Sequence, residues 1–156
     1  MEVKNVLTKH LKNETLANAL DIVDFMTDRG LEPTTEWSHG FRFVKNDKSP
    51  CLLFIIDGTN EEDGEWVMCD LPVTNEAGYD AMPDDLKDIV RANIKLCNVF
   101  EGNPCGCGRE PGLTKNVFGK AYDNLCTSEI QFVNPDAAAI NDYKKIIEWW
   151  SENIAV

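Results

Sequence analysis

The stretch Cys51-Leu52-Leu53-Phe54-Ile55-Ile56 decides the fold. Six apolar residues in a row leave no polar face, so the segment reads as a strand covered on both sides, at the centre of a sheet. Before it, Thr34–Trp37 and Phe41–Val44 read as shorter strands separated by the turn residues Ser38-His39-Gly40. Asn46–Pro50 divides the second of these from the apolar run. After it, the acidic stretch Gly58–Gly64 leads into a fourth strand, Glu65–Leu71. Such short turns between neighbouring strands predict an antiparallel meander.

Helices frame the meander. Val3, Leu7 and Leu11 lie on one stripe, and Leu16, Ala19, Leu20, Val23 and Met26 on another. Asn13 is a candidate N-cap for the second helix, and Gly30, following Arg29, is its C′ stop. Pro83, Asp84 and Asp85 open a middle helix whose buried side is Leu86, Ile89, Val90 and Leu96, ending near Cys97–Phe100. Past a loop at Glu101–Gly112, Thr114–Phe118 and Ile130–Val133 read as strands. Asn134-Pro135-Asp136 then opens a last helix with Asn134 as N-cap and the stripe Ile140, Tyr143, Ile147, Trp150. The pattern is α+β, an antiparallel sheet of about five to six strands with N-terminal, middle and C-terminal helices. No repeat or biased linker divides it, so residues 1–156 are expected to form a single domain.

Charge narrows the function. The 156 residues carry 15 Lys and Arg against 27 Asp and Glu, a formal net charge of −12. That field repels phosphate backbones and anionic lipid, which argues against nucleic-acid and membrane partners. Met1–Leu11 has no continuous apolar core of a signal peptide, so a cytoplasmic location is expected, where thiols stay reduced.

Four of the six cysteines gather late, at Cys97, Cys105, Cys107 and Cys126. Zinc takes four soft ligands at tetrahedral corners, and glycines around Cys105-Gly106-Cys107 let neighbouring side chains turn towards one centre. With all four thiols engaged the ion has no open position, so this zinc would be structural. Two other readings stand beside it. Cys105 and Cys107 could form an exchangeable thiol pair near Arg109, or the thiols could be inert packing groups. Cys51 and Cys69, inside predicted strands, are expected in the core.

Trp37, Phe41, Phe43 and Trp66 fall on adjacent predicted strands and, with His39 and Arg42, could line a ligand cleft; the plainer reading is a core or a sheet face closed by aromatics. His39 has no acid or thiol beside it in sequence and reads as an exposed turn residue. Glu61-Glu62-Asp63-Gly64-Glu65 lacks the alternation of a calcium loop and reads as a solvated charge run. Trp149 stands about 100° off the last helix's apolar stripe, where it could contact a protein partner or a second copy in a homodimer, or equally fold back on the sheet.

The run Phe118-Gly-Lys-Ala-Tyr-Asp-Asn-Leu-Cys126, followed by Phe132-Val-Asn-Pro-Asp136, resembles the tail of a group of small uncharacterised bacterial proteins. That resemblance implies that Cys105, Cys107 and Cys126 belong to one unit with Gly119 and Asn124. The strand meander is similar to small sheet domains of the YdhG or YjbR kind, an analogy of fold that carries no activity. The expected function is a domain that binds a small molecule or protein partner, stapled by zinc at Cys97, Cys105, Cys107 and Cys126. The alternatives are a thiol-redox protein using Cys105 and Cys107, and an enzyme with an aromatic cleft at Trp37, His39, Phe41 and Trp66.

Overall fold

The computed structural model describes residues 3–73, 78–97 and 113–156. The protein is α+β. In chain order its elements are α1 (Val3–His10), α2 (Asn13–Asp28), β1 (Glu32–Trp37), β2 (Gly40–Lys45), β3 (Lys48–Ile56), β4 (Glu65–Cys69), α3 (Asp84–Ala92), β5 (Ile94–Leu96), β6 (Leu113–Val117), β7 (Lys120–Val133) and α4 (Ala137–Asn153). The pairs β1–β2, β2–β3, β3–β4, β5–β7 and β6–β7 run antiparallel. No helix among the described residues is long and apolar enough to cross a membrane. The chain divides into two compact units, Met1–Cys69 with Phe132–Val156, and Asp70–Gln131.

In the first unit the meander follows the order β1-β2-β3-β4. The β2–β3 register starts from a tight turn and is adjusted by an irregularity next to it. Asn46 and Asp47 have φ of 51° and 60°, and Lys45 pairs with Lys48 across them. This is the two-residue turn whose twist matches that of paired strands, and Asn and Asp tolerate its left-handed backbone better than other residues with a Cβ. Between Lys45 and Phe43 the register shifts by one residue, and beyond that irregularity Phe41 pairs with Leu53 and Phe43 with Cys51; in the next ladder Leu53 meets Met68 and Ile55 meets Trp66. These residues are buried, and together with Ala19, Ile22, Val23 and Met26 of α2 and Ile140, Tyr143, Ile147 and Trp150 of α4 they form the core. The other row of β3 is apolar too: Leu52 groups with Val67 and Cys69, and Phe54 and Ile56 pack against them. The uninterrupted apolar run is thus a strand with two non-polar faces.

Helix ends follow local chemistry. Gly30, φ 78°, closes α2: its N–H donates to Thr27 O at 2.9 Å and that of Leu31 to Met26 O at 3.1 Å, the paired bonds of a Schellman stop. At α2's start, Lys12 holds the cap position without a side-chain bond, and Asn13 turns its amide to Asp63 instead. The cap of α4 is Asp136, whose carboxylate accepts from Ala139 N at 2.8 Å. Asn134, expected in that role, sits two residues earlier with φ 42° and ties down β4: its Oδ1 accepts from Trp66 N and its own N–H donates to Trp66 O, both at 2.9 Å.

The second unit departs further from the sequence pattern. The middle helix stops at Ala92, not near Cys97–Phe100. Asn93 ends it by donating its side-chain amide to Ile89 O at 2.9 Å, and Ile94–Leu96 becomes a strand pairing with β7. Leu96, expected on the helix's buried side, is exposed. β7 is a single long strand where only Ile130–Val133 was expected. Asn124 and Glu129 within it have φ of 64° and 58°, and residues in that conformation bulge a strand and break its alternation. β7 pairs with β5 and with β6.

Candidate metal centre

The register of the meander carries one residue of interest to each side of the end of β3. Gly40 opposite Phe54 puts His39 level with Ile55, and Ile55 N donates to His39 O at 3.0 Å. The β1–β2 turn is thereby held two positions from Asp57. On the other side, Ile56 pairs with Glu65, so Gly64 stands beside Asp57. Gly64 has φ 82° and lies against the end of α1, where a Cβ on it would be 2.4 Å from His10 O. Lys12 N donates to Asp63 O at 3.0 Å, and Asn13 Nδ2 to Asp63 Oδ1 at 2.8 Å, fixing the α1–α2 junction to the same loop.

Three side chains converge as a result. His39 Nδ1 and Asp57 Oδ2 are 2.5 Å apart, and His10 Nδ1 lies 3.7 Å from Asp57 Oδ1. The imidazole centroids are 4.4 Å apart at 56°. One ligating atom from each of His10, His39 and Asp57 lies within 4.8 Å of the others, the one such group of three among the described residues. The side chains of His10 and His39 are 23% and 24% exposed and Asp57 60%, so the cluster opens to solvent on its carboxylate side. His10 also ends α1, where the negative end of the helix dipole favours a cation.

Two imidazoles and one carboxylate are borderline donors. They suit zinc, nickel, cobalt or copper, whereas calcium and magnesium seek oxygen-rich shells. With metal–ligand bonds of about 2.0–2.2 Å, ligands at tetrahedral corners stand roughly 3.4 Å apart. The His10–Asp57 separation is near that value. The His39–Asp57 contact must open by about 1 Å, an adjustment within reach of an exposed carboxylate at a strand end.

The residues expected to line a cleft are distributed differently. Phe41 and Trp66 are core residues, and Trp37 is 46% exposed. The Trp37 ring covers Gly40 and stands 5.8 Å from Phe54, in the row of β3 that does not carry Phe41's partner Leu53. His39 is brought to an acid and a second imidazole, contrary to the reading of an exposed turn residue without a partner. His10 and Asp57 carried no sequence signal of their own. Of the acidic stretch, Asp63 bonds to Asn13, and Glu65 accepts from Thr59 Oγ1 at 2.9 Å.

Of the late cysteines, Cys97 is buried and Cys126 half-buried; Cys105 and Cys107 lie outside the described residues. Leu96 pairs with Leu125, and Cys97 N donates to Asn124 O at 2.7 Å, so Cys97, just past the end of β5, lies beside the stretch of β7 that carries Cys126. Cys51 and Cys69 are buried in β3 and β4, as core residues should be. The fold and site define an α+β protein with a two-histidine, one-aspartate cluster at a sheet end. Comparison with protein-family models, curated proteins and solved structures found no match.

Proposed function

We infer that this is a binding protein whose ligand is a divalent transition-metal ion held by His10, His39 and Asp57. One observation carries the reading: the chain has two histidines, and both meet at a single carboxylate. They come from a helix end, a hairpin turn and a strand end, elements with no local reason to place these groups together. Core formation alone does not account for it either, because the cluster opens to water.

Zinc that binds the folded state stabilises it by about 2.7 kcal/mol when free zinc is one hundred times its Kd. For a chain of this size that is a rise in Tm of roughly 5–10 °C. Calorimetric titration of metal-stripped protein with zinc, alongside melting curves, tests this. Heat of binding to the wild type that is lost in a His10→Ala/His39→Ala double variant supports the site; identical titrations of the two proteins reject it.

A second ion, structural zinc at Cys97, Cys105, Cys107 and Cys126, is supported by the bond from Cys97 N to Asn124 O, two residues from Cys126 in β7. Metal binding energy at such a site is folding energy. Elemental analysis under reducing conditions is therefore expected to show one zinc fewer per chain in Cys126→Ser than in the wild type, with a lower melting temperature. An unchanged zinc content counts against the cysteine site without touching the histidine one. Fast-reacting native thiols in metal-free protein would instead favour the redox alternative.

A further inference from the structure

We propose that the ion at His10, His39 and Asp57 holds coordination positions open for an exogenous small ligand, and that this ligand is an uncharged nitrogen or oxygen donor. The proposal rests on the metal reading above and goes on to the chemistry of the guest. Zinc-class ions take four or more ligands, and sites supplying only three protein groups leave the remainder to water or substrate. The group of ligating side chains here has three members among the described residues. Asp57, the most exposed of them, marks the side from which a fourth ligand enters.

Charge on the rim selects the guest. The loop from Asp57 to Gly64 both starts and ends at the site, and it carries Glu61, Glu62 and Asp63, with Glu65 just beyond. Lys9 and Lys12 flank His10 but are outnumbered by these acids. The carboxylates of Asp63 and Glu65 are tied to Asn13 and Thr59, and Gly64 between them lies against His10 O, which anchors the end of the loop beside the cluster. An incoming phosphate or carboxylate meets a field of its own sign, whereas an imidazole, amine or alcohol does not. The same acids draw the metal ion in.

Cobalt(II) is a suitable probe because its visible spectrum reports coordination. Metal-stripped protein is loaded with one equivalent of cobalt, and the spectrum of an identically treated His39→Ala variant is subtracted to remove cobalt bound elsewhere. Imidazole, azide and phosphate are then titrated in turn. The expected result is a saturable change with imidazole, with azide and phosphate requiring at least about tenfold more for the same change. In a Glu61→Gln/Glu62→Gln variant that gap narrows.

A cobalt spectrum that depends on His39 but ignores imidazole shows a closed site and overturns the proposal while leaving the metal reading intact. Azide binding as tightly as imidazole overturns the charge selection. Loss of cobalt to imidazole, read by dialysis, shows competition for the metal and no ternary complex, and also counts against it. Absence of any His39-dependent spectrum is the distinct failure, that of the metal site itself.

Discussion

Replacing His39 with alanine is expected to weaken zinc binding by at least about 100-fold while leaving the melting temperature of the metal-free protein nearly unchanged. Groups that merely orient a metal ligand cost about 10–100-fold in affinity when removed, and a direct ligand stands at or above the top of that range. Folding should tolerate the change because His39 lies in a turn and contributes its carbonyl, not its ring, to the hydrogen bond from Ile55 N. Its ring partners are His10 and Asp57, both at the site. Titration calorimetry gives the affinity and a zinc-free melt gives the stability. Unaltered affinity, or a collapse of stability without metal, would show that His39 has a structural role and no ligating one. Asp57→Asn should fall between the wild type and His39→Ala, since an amide oxygen can still approach the ion but brings no charge.

The second large effect comes from a residue that touches no metal. Gly64→Ala is expected to lower stability by about 3 kcal/mol, a fall in Tm of roughly 6–12 °C, and to weaken zinc binding as well. The backbone there has φ 82°, and the added methyl would stand 2.4 Å from His10 O and 2.9 Å from Leu11 Cδ2. A backbone oxygen cannot swing aside as a side-chain tip can, so either α1 lifts or the loop drops. Both movements separate His10 from Asp57. Gly58→Ala is the matched control: φ is 72° but nothing lies within 4 Å of the added Cβ, so only the backbone cost of about 1 kcal/mol applies and zinc binding is retained. Equal effects of the two substitutions would mean that Gly64 matters for its conformation alone and does not position His10.

The meander was legible because each of its strands carries a run of apolar or β-branched residues bounded by turn formers. The close of α2 was legible because Gly30 does what a C′ glycine does. The second unit was harder to read. Asn124 and Glu129 interrupt the alternation of β7 with left-handed backbone, and Asp123-Asn124 does not look like strand sequence, so a fourteen-residue strand showed only its last few residues. The metal cluster was hidden for a different reason. Its ligands stand far apart in sequence, and Asp57 gives no signal beyond that of any acid at a strand end. What brings them together is the strand register together with the seating of α1 on Gly64, and both are tertiary facts. The one available clue was the scarcity of histidine.

Asn46 and Asp47 lie at the opposite end of β2 and β3 from His39 and Asp57, about 20 Å along β2 and about 30 Å along β3. Side chains of a strand alternate with every residue, so slipping the pairing by one would turn a whole row to the other face and carry His39 out of line with Asp57. An insertion in this hairpin that slips β2 against β3 by one residue, seen as a changed pairing of Phe41 and Leu53, should therefore erase metal binding without altering any ligand. The centre has its ruler at the far end of the sheet, in a hairpin turn and the irregularity beside it, neither of which has any chemistry of its own.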